Sequence, residues 1–529
     1  MLKKLTSHLH QFCQVFLLLF LLTGIAVVPG CGPKDADTPV PSAIADPIMT
    51  DKGLVSGTVI DAIQLSYYDY TGAFHYGETL VGETGKPVRI YKGIPYAAPP
   101  VGNLRWKPPQ PVTPWAGIRN CITYAPMMAQ YPFPQSFFYR FVPESGMSED
   151  VLYLNVMTPA KTNLARLPVF VFFHGGGLTS GSTSSDSYNT PLMAQHGVIW
   201  VSVQHRLGPL GFMAHPALTA ESPQGASGNY GTLDLIAALQ WVKKNIAAFG
   251  GDPNNVTING QSGGGMKVNF LMASPLAKGL FHKAICQSGF STASNSLSRA
   301  EEMGVNLAAK LGVTDTGAAG LAELRAKTWQ EIVTAANVAP RPDYTTGYTV
   351  DGWSLPDTMA NIFDAGQQND VPYMVSVASE EIEVGGYVYI PPAAIGPRML
   401  TMSGNMNSNM YAYIFTQVPD AWRVLGQTAW HGSDVSYMLG GLPTMGMFPG
   451  ALVPVTMPLN PGLTEKDYWV SEFMVQMLAN FARTGNPSVP DMGVTWPPYK
   501  NPDQYYLDIG FQPIVANGFN SVTTRIPSR

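Results

Sequence analysis

The chain has 529 residues, 45% of them hydrophobic and 13% charged, with a formal net charge of −5 at pH 7. That length and apolar content can fill a large core and exclude an intrinsically disordered chain. The mild acidic balance, with no run of basic residues longer than a pair, argues against a nucleic-acid partner.

The N-terminus reads as an address. Lys3 and Lys4 give it a positive start, and Val15 to Val28 is apolar apart from Thr23 and Gly24. A stretch of that length is too short to span a bilayer comfortably, and reads instead as the apolar part of an export signal. Val28-Pro29-Gly30-Cys31 resembles the bacterial lipobox, which implies cleavage before Cys31 and a lipid on its thiol. Residues 1–30 are therefore expected to be a signal peptide and residues 31–52, rich in Pro, Asp, Ala and Thr, a flexible tether. The protein is expected to be exported and held through Cys31 on a membrane of a bacterial cell envelope. No composition break, tandem repeat or low-complexity tract follows, so residues 53–529 read as one domain. Of the four cysteines, Cys13 leaves with the signal and Cys31 is modified. Cys121 and Cys286 are expected to be free buried thiols. No Cys/His spacing points to zinc or another metal.

The elements beyond the tether alternate. Leu167 to Phe173 is an apolar run ending in glycines, and Val198 to Val203 is another. Asp234 to Phe249 is a predicted helix, because Leu235, Ala238, Leu239, Val242 and Ile246 fall on one face; Gly250-Gly251-Asp252-Pro253 stops it. Asn255 to Gly260, Phe281 to Cys286 and Pro372 to Ser379 are predicted strands. Apolar strands separated by helices predict an α/β fold with a large, mostly parallel sheet covered on both faces.

Gly260-Gln261-Ser262-Gly263-Gly264 matches G-x-S-x-G directly after a predicted strand and before a helical stretch, Met266 to Ala273. That is the strand–turn–helix setting of a nucleophile elbow, where glycines let backbones approach closely. A nucleophilic serine needs a base. In this setting the chain order is serine, acid, histidine, and of the nine histidines only His282 and His431 follow Ser262. No Asp or Glu lies between Ser262 and His282, which leaves His431, in the loop-like Trp430-His431-Gly432-Ser433. The acid must lie between them. Glu380 and Glu381, just past a strand end, are nearly equal candidates, with Asp351, Asp364 and Glu383 behind them. His174-Gly175-Gly176-Gly177 follows another strand and can present backbone N–H groups to a developing oxyanion.

These residues resemble one family, the type B carboxylesterases, which include the cholinesterases. The resemblance runs from Tyr91 to Gly510. It rests on Tyr91-Lys92-Gly93-Ile94-Pro95-Tyr96-Ala97, on Ser148-Glu149-Asp150-Val151-Leu152-Tyr153-Leu154-Asn155-Val156, on Gly228-Asn229-Tyr230-Gly231 leading into the elbow, on Gln287-Ser288-Gly289 and on Asn480 to Pro487. It implies an α/β-hydrolase catalytic domain over 53–529, with Ser262 as nucleophile, His431 as base and Glu381, rather than Glu380, as the acid. It also implies an oxyanion hole from the N–H groups of Gly176, Gly177 and Gly263, and Ser288 supporting the acid. Arg105–Glu149 and Arg206–Asp234 look like the family's structural ion pairs. The implied activity is hydrolysis of small carboxylic esters through an acyl-enzyme, without cofactor or metal.

The departures from the family bear on substrate. Gln261 stands where a glutamate often precedes the nucleophile, Phe141 stands at the cholinesterases' choline-cupping tryptophan, and Val151 replaces a cysteine. The first two weaken cation recognition. Phe141, Gln261 and Phe290 are the expected pocket residues. Asp434 stands where the family carries a glutamate three positions after the histidine. Two other classes remain compatible with the sequence: amide or lactone hydrolysis on the same site, and a purely binding role such as the family's adhesion proteins have.

Overall fold

The computed structural model describes residues 46–60, 63–68, 74–81, 85–131, 143, 145–185, 188, 190–337, 344–379, 391–426, 428–440, 442 and 462–522. The expected signal and lipid site at Cys31, the expected pocket residue Phe141, and Glu380, Glu381 and Glu383 lie outside these residues.

The main sheet has eleven strands among the described residues. In chain order they are β1 (Thr58–Ile60), β2 (Val88–Pro95), β3 (Tyr153–Thr158), β4 (Leu167–Phe173), β5 (Ile199–Val203), β6 (Gly251–Gln261), β7 (Lys283–Gln287), β8 (Tyr373–Ala378), β9 (Met410–Phe415), β10 (Tyr506–Ile509) and β11 (Ile514–Ala516). Across the sheet they lie in the order β11-β10-β9-β8-β7-β6-β4-β5-β3-β2-β1. Every neighbouring pair from β5 to β10 is parallel. The two ends are antiparallel. The mostly parallel sheet expected from the sequence is thus present, with antiparallel edges that the pattern of apolar runs did not reveal.

Successive side chains of a strand point to opposite faces, and here both faces are dry. Val169, Val171 and Phe173 of β4 enter one core with Leu235, Leu239 and Val242 of α1 (Tyr230–Asn245) and Val268 and Leu271 of α2 (Gly263–Ala273). Phe170 and Phe172 of β4 enter the other core. That core also holds Val435 and Met438 of α3 (Ser433–Met438) and Val470, Phe473 and Phe481 of α4 (Glu465–Thr484). This two-sided burial explains why the central strands read as continuous apolar runs.

Several boundaries move. α1 starts at Tyr230 rather than Asp234, because Tyr230 and Leu233 are themselves buried, and it gives way to a 3-10 turn over Ile246–Phe249. β6 extends back to Gly251, which pairs with Leu167. The flexible stretch expected to run to residue 52 does not include the strand at Ile48–Met49. Ile48–Met49 already pairs with Leu54–Ser56, Ile48 is buried, and the Asp51 N–H donates to Asn245 Oδ1 at 2.7 Å. Composition could not register these few ordered residues beside a long polar stretch. Cys121 and Cys286 are free and buried, as expected.

Two buried ion pairs tie loops to this frame. Arg105 donates to both carboxylate oxygens of Glu149. Arg206, just after β5, donates from Nε and Nη2 to Asp234 of α1 at 2.8 and 2.6 Å, and its backbone N–H reaches the same carboxylate. Both side chains of this second pair are sealed from solvent, at 2% and 0% exposure. Removing one charge strands the other in a medium that cannot solvate it. Asp234→Asn is therefore expected to lower the unfolding free energy by about 3–5 kcal/mol, measured by denaturant unfolding. A loss below about 1 kcal/mol, as exposed pairs give, would contradict this reading of the pair.

Candidate active site

Ser262 sits on the turn between β6 and α2 with φ +58° and ψ −125°. A left-handed backbone at a non-glycine residue is strained by about 1–3 kcal/mol and persists only where its surroundings hold it. The Ser262 N–H donates to Gln287 O on β7 at 2.8 Å, and its carbonyl accepts the first helical bond, from Met266 N–H at 3.1 Å. Glycines supply the clearance. A Cβ on Gly260 would lie 2.2 Å from the Gly264 carbonyl carbon, and one on Gly264 would lie 2.1 Å from Phe173 O. One on Gly289 would lie 2.3 Å from Ser262 O. The helix accordingly begins at Gly263, not at Met266 as the apolar pattern implied.

The turn brings Ser262 Oγ to 2.7 Å from His431 Nε2. Both residues are partly exposed, so a reactant can reach them. His431 precedes α3 on a tight turn, where Ser433 donates to Trp430 O from N–H at 3.0 Å and from Oγ at 2.8 Å. Behind the pair, Asn259 of β6 donates to Gln287 Oε1 at 2.7 Å. Gln287 in turn donates to Tyr413 Oη at 2.6 Å and to Asp434 Oδ2 at 3.4 Å. This buried chain joins the strand that precedes Ser262 to the helix that follows His431, and Asp434 is part of it. His282, the other histidine after Ser262, accepts at Nδ1 from the Val256 N–H and belongs to the sheet.

Two of the lower-ranked acids are occupied elsewhere. Asp351 is buried and accepts from Asn229, Ser354 and the N–H groups of Trp353 and Leu355. Asp364 is half-exposed and pairs with Arg398. Ser288 follows β7 with φ +46°, its N–H bonded to Ser376 O. Its Oγ is buried without a hydrogen-bond partner among the described residues.

The loop after β4 closes the other side. Gly176 and Gly177 both have positive φ, +90° and +62°, which glycine adopts freely. The carbonyl of Gly177 lies against Gly263, where a Cβ would come within 2.0 Å of it. Among the described residues no carbonyl receives the N–H groups of Gly176, Gly177 or Gly263. Gly263 is moreover the first residue of α2, where N–H groups have no intrahelical partner. Unpaired donors at a helix N-terminus suit a developing negative charge. Two residues that sequence reasoning missed hold this loop. Gln130 donates to Gly181 O at 2.9 Å and accepts from Gly181 N–H at 3.0 Å. Lys267, fully buried on α2, donates from Nζ to His174 O at 3.0 Å. The one available signal for the latter was a lysine inside the apolar run Met266 to Ala273.

Of the expected pocket residues, Gln261 is buried, its side-chain amide close to Gly175 and Gly432. Phe290 is likewise a core residue, its ring 6.3 Å from that of Phe363. Both lie too close to strand β6 or β7 to escape the packing around the sheet.

A family model described as the Carboxylesterase family matches residues 75–395 and 394–526. The chain belongs to the carboxylesterase family. Carboxylesterase 1E of Mus musculus is 31% identical over 498 residues, covering 80% of this chain and 86% of that protein. Fumonisin B1 esterase of Sphingopyxis macrogoltabida is 39% identical over 296 residues, 56% of this chain and 53% of that protein. Liver carboxylesterase 1 of Oryctolagus cuniculus is 38% identical over 320 residues, 56% of this chain and 55% of that protein. In these last two the match spans about half the relative's length. As a carboxylesterase-family member the chain has the α/β-hydrolase fold, and the sheet order above is its form here.

The clearances predict that this carboxylesterase-family elbow tolerates no side chain at Gly264. Gly264→Ala is expected to lower stability by about 1–3 kcal/mol through backbone overpacking, whereas Met266→Ala, at a partly exposed position, should change it by less than about 1 kcal/mol. Thermal unfolding of the two variants compares them directly, and equal melting temperatures would contradict the packing argument.

Proposed function

We propose that the protein is a serine carboxylesterase that hydrolyses small, uncharged carboxylic esters through an acyl-enzyme. The observation that carries this reading is the 2.7 Å contact between Ser262 Oγ and His431 Nε2 on a strained strand–helix turn. Ser262 Oγ attacks the ester carbonyl while His431 Nε2 takes its proton. The oxyanion is received by the N–H groups of Gly176, Gly177 and Gly263. Collapse breaks the bond to the alkoxy oxygen, which leaves as alcohol with the proton from His431. Water then attacks the acyl-enzyme, again giving its proton to His431, and the acid is released with Ser262 restored. Glu381 is assigned as the carboxylate that orients the imidazole through Nδ1, on the family pattern and because Asp351 and Asp364 are committed elsewhere. No cofactor or metal enters this scheme. Neutral substrates are favoured because Gln261 carries no charge and lies buried, and Phe141 offers a weaker cation–π face than tryptophan.

Ser262→Ala is expected to lower kcat toward a neutral p-nitrophenyl ester by roughly four to six orders of magnitude with the fold retained. Glu381→Gln should lose roughly a hundredfold more activity than Glu380→Gln. Near-wild-type turnover of the serine variant would end the esterase reading. Equal losses in the two glutamine variants would instead displace only the acid. A panel of esters, amides and lactones separates the leaving-group classes.

We further propose that residues 1–30 direct export and that Cys31 carries the lipid that holds the protein on a cell-envelope membrane, on the strength of the basic start, the apolar run and Cys31 itself. Full-length protein expressed in bacteria should partition with membranes into detergent, because several acyl chains hold firmly where one holds marginally. Cys31→Ser should release it or stall its processing. Recovery of wild-type protein with an unmodified N-terminus other than Cys31 would rule the anchor out.

A further inference from the structure

Lys267 is a charged group in a place that does not readily accept one. It projects from α2, one turn past Ser262, and is fully buried. Its hydrogen-bond partner is a backbone carbonyl, His174 O, 3.0 Å from Nζ. That carbonyl belongs to the peptide entering Gly175-Gly176-Gly177, the loop packed against Gly263. Two imidazoles lie beside it. His174 and His205 stack with centroids 4.7 Å apart. His174 Nδ1–H donates to Gly175 O at 2.9 Å, and its Nε2 and that of His205 are buried without partners among the described residues. Burial, reinforced by Lys267, pushes the His174 imidazolium down to about 3 and that of His205 well below its usual range, so neither ring competes with Lys267 for charge.

The other ionisable groups around α2 are engaged elsewhere. Asp234 pairs with Arg206, Asp252 with Arg166 and Asp364 with Arg398. Lys283 donates to Asn255, Lys243 to Gly279 O, and Lys244 is exposed at the far end of α1. The Cys286 thiol is pushed up to about 12 by burial and stays neutral. No carboxylate among the described residues forms an ion pair with Lys267. An apolar side chain would fill this space at less expense, and a residue retained against that penalty invites a role.

We infer that Lys267 is a positioning residue for the oxyanion loop, its ammonium holding the His174 carbonyl and adding positive potential behind the N–H groups of Gly176, Gly177 and Gly263. The inference rests on the serine-esterase reading. Preorganised dipoles and charge act strongly in such a water-excluded site, and a small misplacement of the loop is amplified in the rate. The role is pH-dependent. Burial brings the Lys267 ammonium down to about 7. Activity is therefore expected to fall as pH rises through that value and the charge is lost. Stability moves the other way. Between about pH 7 and about pH 10.4 the unfolded chain holds the lysine proton and the folded chain does not, so this group makes folding more favourable as pH rises. An alkaline loss of activity from this group is thus distinct from unfolding.

The test uses the full-length protein and a neutral p-nitrophenyl ester. Mass-spectrometric labelling of Ser262 by an organophosphonate comes first, and failure to label it overturns the esterase reading rather than this one. Then kcat and KM are measured from pH 5 to 9 for wild type, Lys267→Met and Lys267→Arg, with melting temperatures alongside. Wild-type kcat should decline above about pH 7. Lys267→Met should lose about 10- to 100-fold in kcat at pH 6.5 with KM changed less than about threefold, melt no lower than wild type, and show no alkaline decline. Lys267→Arg, which keeps its charge, should recover kcat and also lack that decline. A Lys267→Met enzyme with wild-type kcat, or with the wild-type alkaline limb intact, overturns the inference whether or not the arginine variant folds.

Discussion

At Ser262 the backbone turns from strand into helix through φ +58°, a conformation that an L-residue with a side chain occupies only under duress. The surrounding structure supplies the force. The serine's N–H is held by β7, its carbonyl begins α2, and β4, β7 and the helix close on it so tightly that Gly260, Gly264 and Gly289 have no room for a methyl group. The hydroxyl is thereby lifted off the sheet edge toward His431. Relaxing this turn would move Ser262 Oγ, the first N–H groups of α2 and the adjoining glycine loop together, since all are packed on the same few atoms.

Two polar systems run beneath this turn, one under the His431 loop and one under the loop after β4. On one side Asn259, Gln287, Tyr413 and Asp434 form a buried chain under the His431 loop. On the other, Lys267 and Gln130 grip the loop after β4 at His174 O and at Gly181. Buried polar networks are expensive to leave half-satisfied and stiff when satisfied. They let the loops that carry His431 and the glycines after β4 inherit the rigidity of the elements beneath them. Gln261 lies between them, under Gly175 and Gly432, where its amide touches both loops.

Much of this was legible in the residues. The central strands betrayed themselves as apolar runs because both faces of the sheet are buried, and G-x-S-x-G after such a run located the elbow. The order of chain elements eliminated every histidine but His431, which does meet Ser262. Boundaries were less legible. α1 and α2 begin before their apolar periodicity does, because Tyr230 and Gly263 enter the helices for reasons of packing and turn geometry rather than amphipathicity. Ile48–Met49, lost in a polar stretch, pairs as a strand. Gln261 stands out because it replaces the family's glutamate and Phe290 as an aromatic past β7, and local spacing could not tell that both side chains are buried.

The fold class, the pairing of Ser262 with His431 and the two ion pairs could be read along the chain, because each leaves a signature in spacing or residue type: apolar runs, glycines around a turn, complementary charges in family motifs. Tertiary structure alone decided what stands behind those residues. A lysine in an apolar helix, a glutamine at residue 130 and an asparagine in β6 look unremarkable along the chain. They matter only because the sheet order β7-β6-β4-β5 brings the ends of strands far apart in sequence to one edge. There a side chain from one element finds the backbone of another across a gap that water does not enter. Such a contact depends on three-dimensional proximity and exclusion of solvent, and neither is written in local spacing.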